Sequence, residues 1–133
     1  MRILFVHSSA GLYGADRSLL RLNSRLAQEG HAALVVLPFD GLLRGELEKI
    51  GVQVVIHRNL PVVNRQAFRG VAGLATLLLS VPVSIVRLLG LLARFRPDVV
   101  HTNTAVILSP GIAARLARVP HVWHVREFFD EFK

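Results

Sequence analysis

Cysteine is absent from the 133 residues, which excludes disulfides, thiolate nucleophiles and thiolate metal sites, and leaves only histidine and carboxylate for any metal. Carboxylates are scarce as well, with nine Asp and Glu against sixteen Lys and Arg. No Asp or Glu pair converges on one place, so paired-carboxylate hydrolysis has little support, and Ser8 and Ser9 lack the strained elbow of a serine nucleophile. Aromatic residues make up 7% of the chain, and the arginines are spread over several predicted helices. A nucleic-acid surface combines a concentrated basic patch with stacking rings, so this chain suits that function poorly. Charged residues reach only 19% while hydrophobic ones reach 52%, which excludes disorder. The length allows a single domain over 1–133 with a real core and rules out a two-domain enzyme.

What is present is a positive balance of +7, 14 of the 16 bases being arginine. Such a surface favours phosphates or an anionic membrane. The apolar run Ile3 to Val6, interrupted by His7, is too short for the core of a secretory signal, so Met1 is read as the start of the mature chain.

Short β-type runs alternate with longer helical patterns, the signal for βαβ units and a parallel sheet. Strands are predicted at Ile3 to His7, Ala32 to Leu37, Val52 to Ile56, Asp98 to Thr102 and His121 to Val125. Helices are predicted at about Asp16 to Glu29, at Leu43 to Ile50 and within Ala105 to Arg118, where Ser109 suits an N-cap and Pro110 a first helical position. Arg58 to Arg69 has no periodicity and reads as a surface loop. A long apolar helix follows from Gly70 to Phe95, with a polar stripe of Arg69, Gly73, Thr76, Ser80, Ser84, Arg87, Leu91 and Arg94 within an arc of about 80°. Pro82, Arg87 and this stripe weaken a membrane span. The plain reading is a buried helix of a soluble domain, and the sharper one is a helix that touches a bilayer surface or a partner. The last residues, Phe128 to Lys133, look like the opening of another helix, so the domain is expected to be cut short after the fifth strand.

Right-handed crossovers give an open Rossmann-like sheet of order 3-2-1-4-5, with the ligand crevice beyond the carboxyl ends of the first and fourth strands. Ser8 to Gly14 then lies beside Thr102 to Thr104. Gly11 and Gly14 let backbone approach a ligand while the helix start offers free amides to an anion. The plain alternative is that they only turn a tight connection, with Asp16 stabilising the helix start. The loop fails as a dinucleotide fingerprint and as a P-loop. His7, His101, His121 and His124 lie on or at the ends of three neighbouring strands, without metal-ligand spacing. For His7 and His121 a satisfied buried histidine is the expected role. His124 and Arg126 share a strand face and meet the crevice, with Glu127 beside them; a structural ion pair between Arg126 and Glu127 is the alternative.

Five segments taken together resemble the N-terminal half of a group 1, family 4 glycosyltransferase of the GT-B fold. They are Met1 to His7, Gly11 to Ser18, Leu26 to His31, Arg96 to Asn103 and His121 to Glu127, and the resemblance covers essentially the whole chain. It implies retaining transfer of a sugar from a nucleotide-sugar donor, a substrate rather than a cofactor, to a glycan or lipid-linked acceptor bound mainly by this domain. It further implies that Gly11 and Gly14 line the cleft near the donor phosphates and acceptor, and that His124 matches the family's cleft histidine as the catalytic residue. Asn103, Arg126 and Glu127 become acceptor-side residues, with no metal and no other cofactor. The family's carboxylate motif, two Glu separated by seven residues, belongs to a C-terminal donor domain, and no Glu here has another eight positions later. The isolated chain is therefore expected to be inactive. Family members often act at the cytoplasmic membrane face, which suits cytoplasmic, peripheral contact through residues 58–95, and exposed apolar surface would favour self-association. Two rivals remain: a nucleotide- or dinucleotide-binding Rossmann module with Asp40 on a ribose hydroxyl, and a nucleic-acid-binding protein.

Overall fold

The computed structural model describes residues 1–8, 10–12, 14–57, 70–103 and 109–123. Five strands, β1 (Arg2–Val6), β2 (Ala32–Leu37), β3 (Gln53–Ile56), β4 (Val99–Thr102) and β5 (His121–Trp123), alternate with four helices, α1 (Gly14–Gln28), α2 (Leu42–Lys49), α3 (Gly70–Phe95) and α4 (Ser109–Leu116). The strands pair in parallel in the order β3-β2-β1-β4-β5, the α/β class and the winding read from the sequence. Element ends differ from the predicted ones by a residue or two, and Val125 of the predicted fifth strand lies outside the described residues.

The central strands are near-continuous apolar runs because both faces of the sheet are covered. Leu4, Val6, Leu34, Val36 and Val100 face α3 and α4, where they meet Leu88, Leu92, Phe95, Ala113 and Ala114. Their neighbours Ile3, Phe5, Val35 and Leu37 point the other way, onto Leu19 of α1 and Leu43 and Leu47 of α2. The period of two in each strand thus splits one apolar run between two cores. Both α1 and α2 stop at a glycine with positive φ, Gly30 and Gly51. In each, the next amide reaches back to the carbonyl five residues before it, His31 to Leu26 and Val52 to Leu47, which satisfies the terminal carbonyls and turns the chain into the next strand.

Helix α3 is out of proportion to the sheet beneath it. Its 26 residues span about 39 Å at 1.5 Å per residue, whereas strands of four to six residues cover roughly 13–20 Å. Its carboxyl end is anchored at the amino edge of the sheet, where the Arg2 guanidinium donates to the Phe95 carbonyl at 2.8 Å and lies over the Phe95 ring. Leu88 and Leu92 are buried, and Ser84 meets His57 just beyond the end of β3. The turns before Ser84 therefore project past the carboxyl edge of the sheet. There Val71, Leu78 and Leu79 are 85%, 64% and 74% exposed.

This corrects the reading of α3 as a buried helix: only 12% of its most apolar 18-residue window is buried. Within the polar stripe Ser84 is fully buried, whereas Thr76, Arg87 and Arg94 are exposed, and Val71, Leu78, Leu79 and Val86, within an arc of about 100° on the side opposite Ser84, are all exposed as well.

Candidate functional site

The crevice at the order reversal is built where β1 and β4 end side by side. The His7 amide donates to the Val36 carbonyl and the Asn103 amide to the Val6 carbonyl, so both residues continue the sheet by one ladder bond and then leave it. Their side chains meet. The Asn103 amide nitrogen donates to His7 Nδ1 at 3.0 Å, which puts the ring proton on Nε2, and Nε2 donates to Asp16 Oδ1 at 2.6 Å. All three are buried, at 1%, 1% and 3% exposure for His7, Asp16 and Asn103. A buried carboxylate is tolerated only when paired and hydrogen-bonded, and Asp16, in the first turn of α1, also sits at the favourable end of the helix dipole. The chain Asn103, His7, Asp16 ties β4, β1 and α1 together directly under the β1–α1 loop.

Two further histidines brace the same edge. The ring of His121 on β5 bonds Thr102 Oγ1 through Nε2 at 2.6 Å, and burial pushes its pKa below the ordinary value of 6.5. His57, just after β3, bonds Ser84 of α3 at 3.0 Å, and Ser84 in turn bonds Ser109 of α4 at 2.9 Å. Burial first, and then the Arg87 charge, lower the His57 pKa, partly opposed by a hydrogen bond to the Ser84 backbone. Ser109, expected to cap α4, thus spends its hydroxyl across the helix pair.

Both histidines are held neutral in the folded chain but protonate more readily unfolded. Their contribution to stability is therefore complete above pH 6.5 and is lost as the pH falls from there toward the lower folded values. Urea midpoints measured from pH 7.5 to 5 are expected to fall on acidification. His57→Gln together with His121→Gln should flatten that slope; an unchanged slope in the double variant would assign it to other groups.

The structure brings some of the sequence-predicted residues together. Gly11 is half-buried in the β1–α1 loop, and Gly14, exposed, is the first residue of α1 rather than a loop residue before it. A Cβ on Gly14 would meet nothing within 4 Å, so packing inside this chain does not require glycine there. Asn103 lies at the crevice with its amide turned onto His7, which makes it a strut between two strand ends. His124, Arg126 and Glu127 lie outside the described residues, as do Thr104 and the chain after Trp123. Asp40, the residue a dinucleotide module would aim at a ribose, is 3.2 Å from Arg44 in an exposed ion pair. Among the described residues no three His, Asp or Glu side chains gather as metal ligands.

Sequence reasoning missed Asp16 as a structural partner, reading it as a helix-start charge. The usable signal was a histidine ending a strand with a carboxylate nine residues on, in the first turn of the next helix. His7 and His121 do take the satisfied roles expected of them.

A family model described as a glycosyl transferase 4-like domain matches residues 13–131. No curated protein matches the sequence. Among solved structures, HepE from Anabaena in complex with UDP and glucose is similar with a TM-score of 0.66 and 24% identity, over 100% of this chain and 32% of that one. A glycosyltransferase from Rickettsia africae has a TM-score of 0.69 at 16% identity, over 98% and 32%. MurG from Acinetobacter baumannii has 0.67 at 17% identity, over 99% and 38%. The chain spans about a third of the length of these proteins, and at such identities the likeness is one of fold.

Proposed function

The chain belongs to the glycosyl transferase 4-like domain family, and from that premise we propose that it forms the acceptor side of a cleft in which a sugar passes from a nucleotide-sugar donor to a glycan or lipid-linked acceptor. The observation that carries the reading is the family match over residues 13–131, which begins at the loop between Gly11 and Gly14 on the crest of the sheet reversal. HepE, whose structure contains UDP and glucose, is a nucleotide binder of the same fold. The donor's nucleotide is assigned to a second domain, because no pair of Glu separated by seven residues occurs in this chain. Transfer by these 133 residues alone is therefore not expected.

In this assignment the chain supplies orientation rather than a metal or a cofactor. Gly11 and Gly14 present backbone amides and an uncovered helix start toward donor phosphate and acceptor. His124 is the proposed catalytic residue, Arg126 and Glu127 contact the acceptor, and Asn103 positions the crevice through His7. The exposed apolar face of α3 suits work at the cytoplasmic membrane face, where a lipid-linked acceptor resides.

Gly14 separates folding from function. Gly14→Ala is expected to leave the melting temperature within a few degrees of wild type, since a Cβ there meets nothing within 4 Å. In the protein that carries this domain, sugar transfer is expected to slow by about tenfold or more, the consequence of displacing a reactant by about an ångström. Undiminished transfer by a stable Gly14→Ala variant would remove Gly14 from the cleft.

A further inference from the structure

The β1–α1 loop that crests the crevice is tied to the neighbouring β2–α2 connection by a hydrogen bond from the Leu43 amide to the Ala10 carbonyl at 2.9 Å. That bond takes the place of a cap. Leu43 is the second residue of α2, so its amide has no partner within the helix. The N-cap position is Gly41, which makes no side-chain cap bond, where Ser, Thr, Asp or Asn would ordinarily supply an oxygen. A carbonyl from the loop before α1 closes the start of α2 instead, and Ala10 is fully buried there.

Gly41 permits that close approach. Its backbone is extended, with φ −169°, so conformation does not require glycine there. Space does. A Cβ at position 41 would lie 2.5 Å from the Ala10 carbonyl oxygen and 3.1 Å from the Ala10 carbonyl carbon and Cβ. Ordinary C···O contacts begin at about 3.3 Å, so the two loops would have to part by roughly 0.8 Å. The β2–α2 connection is the stiffer of the two. It has four residues between Leu37 and Leu42 and starts with Pro38, whose ring fixes φ. It is anchored by Leu37 and Leu43, both fully buried, and Asp40 within it pairs with Arg44 at 3.2 Å. The β1–α1 loop has seven residues between Val6 and Gly14 and includes Gly11. Beyond Gly11 it is held again, where Arg17 Nε donates to the Leu12 carbonyl at 2.6 Å, so a push on Ala10 is taken up at Gly11.

We infer that Gly41 is a positioning residue for the crevice: by carrying no side chain it sets the place of Ala10, and through Ala10 that of Gly11 against the bound acceptor. The geometry stands on its own, while its consequence for transfer rests on the glycosyltransferase reading. Gly41 touches no reactant in this assignment. Its contribution is to let one loop carbonyl serve two ends, closing the start of α2 and fixing the loop before α1 at a single height.

Amide hydrogen exchange and amide resonances of the 133-residue chain read the two loops directly. The Leu43 amide is expected to be protected, and in Gly41→Ala to lose that protection while the Gly11 and Leu12 signals shift. A Leu43 amide that exchanges freely in the unsubstituted chain would overturn the inference without any variant having to fold. Shifts confined to positions 38–42 in the variant would overturn it as well. In the protein that carries this domain, Gly41→Ala is expected to raise the KM for acceptor about tenfold and to leave the KM for donor unchanged. Gly45→Ala, whose Cβ meets nothing within 4 Å, should leave both at their wild-type values. Loss of folded protein lowers kcat alone, so a raised acceptor KM separates positioning from destabilisation, and thermal melts report the folded fraction. An acceptor KM equal to wild type in Gly41→Ala would remove Gly41 from the reaction. Absence of transfer by the unsubstituted protein from any donor would instead overturn the glycosyltransferase reading, with the amide measurements still deciding whether Gly41 holds the loop.

Discussion

Asp16→Ala is expected to destabilise the domain by about 1–3 kcal/mol, the cost of leaving the buried His7 Nε2–H without an acceptor, and to lower its melting temperature by several degrees. The His7 Nε2 proton is 2.6 Å from the Asp16 carboxylate in a place only 1% exposed, so water cannot replace the lost acceptor without opening the junction of β1 and α1. The other ring nitrogen is already engaged by Asn103. Pairing the change with His7→Leu is expected to restore part of the loss, because the orphaned donor disappears along with its acceptor. Denaturation curves of the two single variants and the double variant close the cycle. An Asp16→Ala variant as stable as wild type would show that the bond behaves as an exposed one and does not hold the crevice together.

The sheet was legible because each central strand is an uninterrupted apolar run bounded by turn residues, and right-handed crossovers leave few orders to choose from. The Asn103, His7 and Asp16 chain was less so. His7 was recognised as satisfied, but its partners sit at separations of nine and ninety-six residues, and only the sheet order brings the end of β4 to the end of β1. For α3 the apolar content was plain while the direction of its faces was not. Thr76, Arg87 and Arg94 of the polar stripe are exposed, while Ser84 on the same stripe turns inward, where His57 and Ser109 offer it partners. The excess length was readable in advance, since a helix of 26 residues cannot lie within the height of strands four to six residues long. Counting arginines by helix made the charge look diffuse, whereas counting by segment places the whole excess between positions 49 and 97.

Leu78→Asp combined with Leu79→Asp is expected to reduce vesicle binding by at least a hundredfold while leaving the melting temperature within a few degrees of wild type. Both side chains are exposed, at 64% and 74%, so the core loses nothing. At a membrane each apolar side chain of this size contributes about 1.5–3 kcal/mol when buried, and the new carboxylates are repelled by anionic lipid. Binding of the unsubstituted chain should increase with the phosphatidylglycerol fraction of the vesicles. Co-sedimentation indifferent to anionic lipid, or unaffected by the two substitutions, would assign the apolar face of α3 to a protein partner or to a second copy of the chain.

The most direct measurement of the acceptor-side account is a transfer assay. The protein carrying this domain is supplied with UDP- or GDP-sugars and lipid-linked glycan acceptors, and the acceptor mass is followed by mass spectrometry, beside titrations of the 133-residue chain with NAD. The account expects the acceptor to gain one sugar residue, the gain to fall with Gly14→Ala, and the isolated chain neither to transfer sugar nor to bind NAD tightly. Tight NAD binding by the isolated chain, with no sugar transferred from any donor by the protein that carries it, would contradict the account.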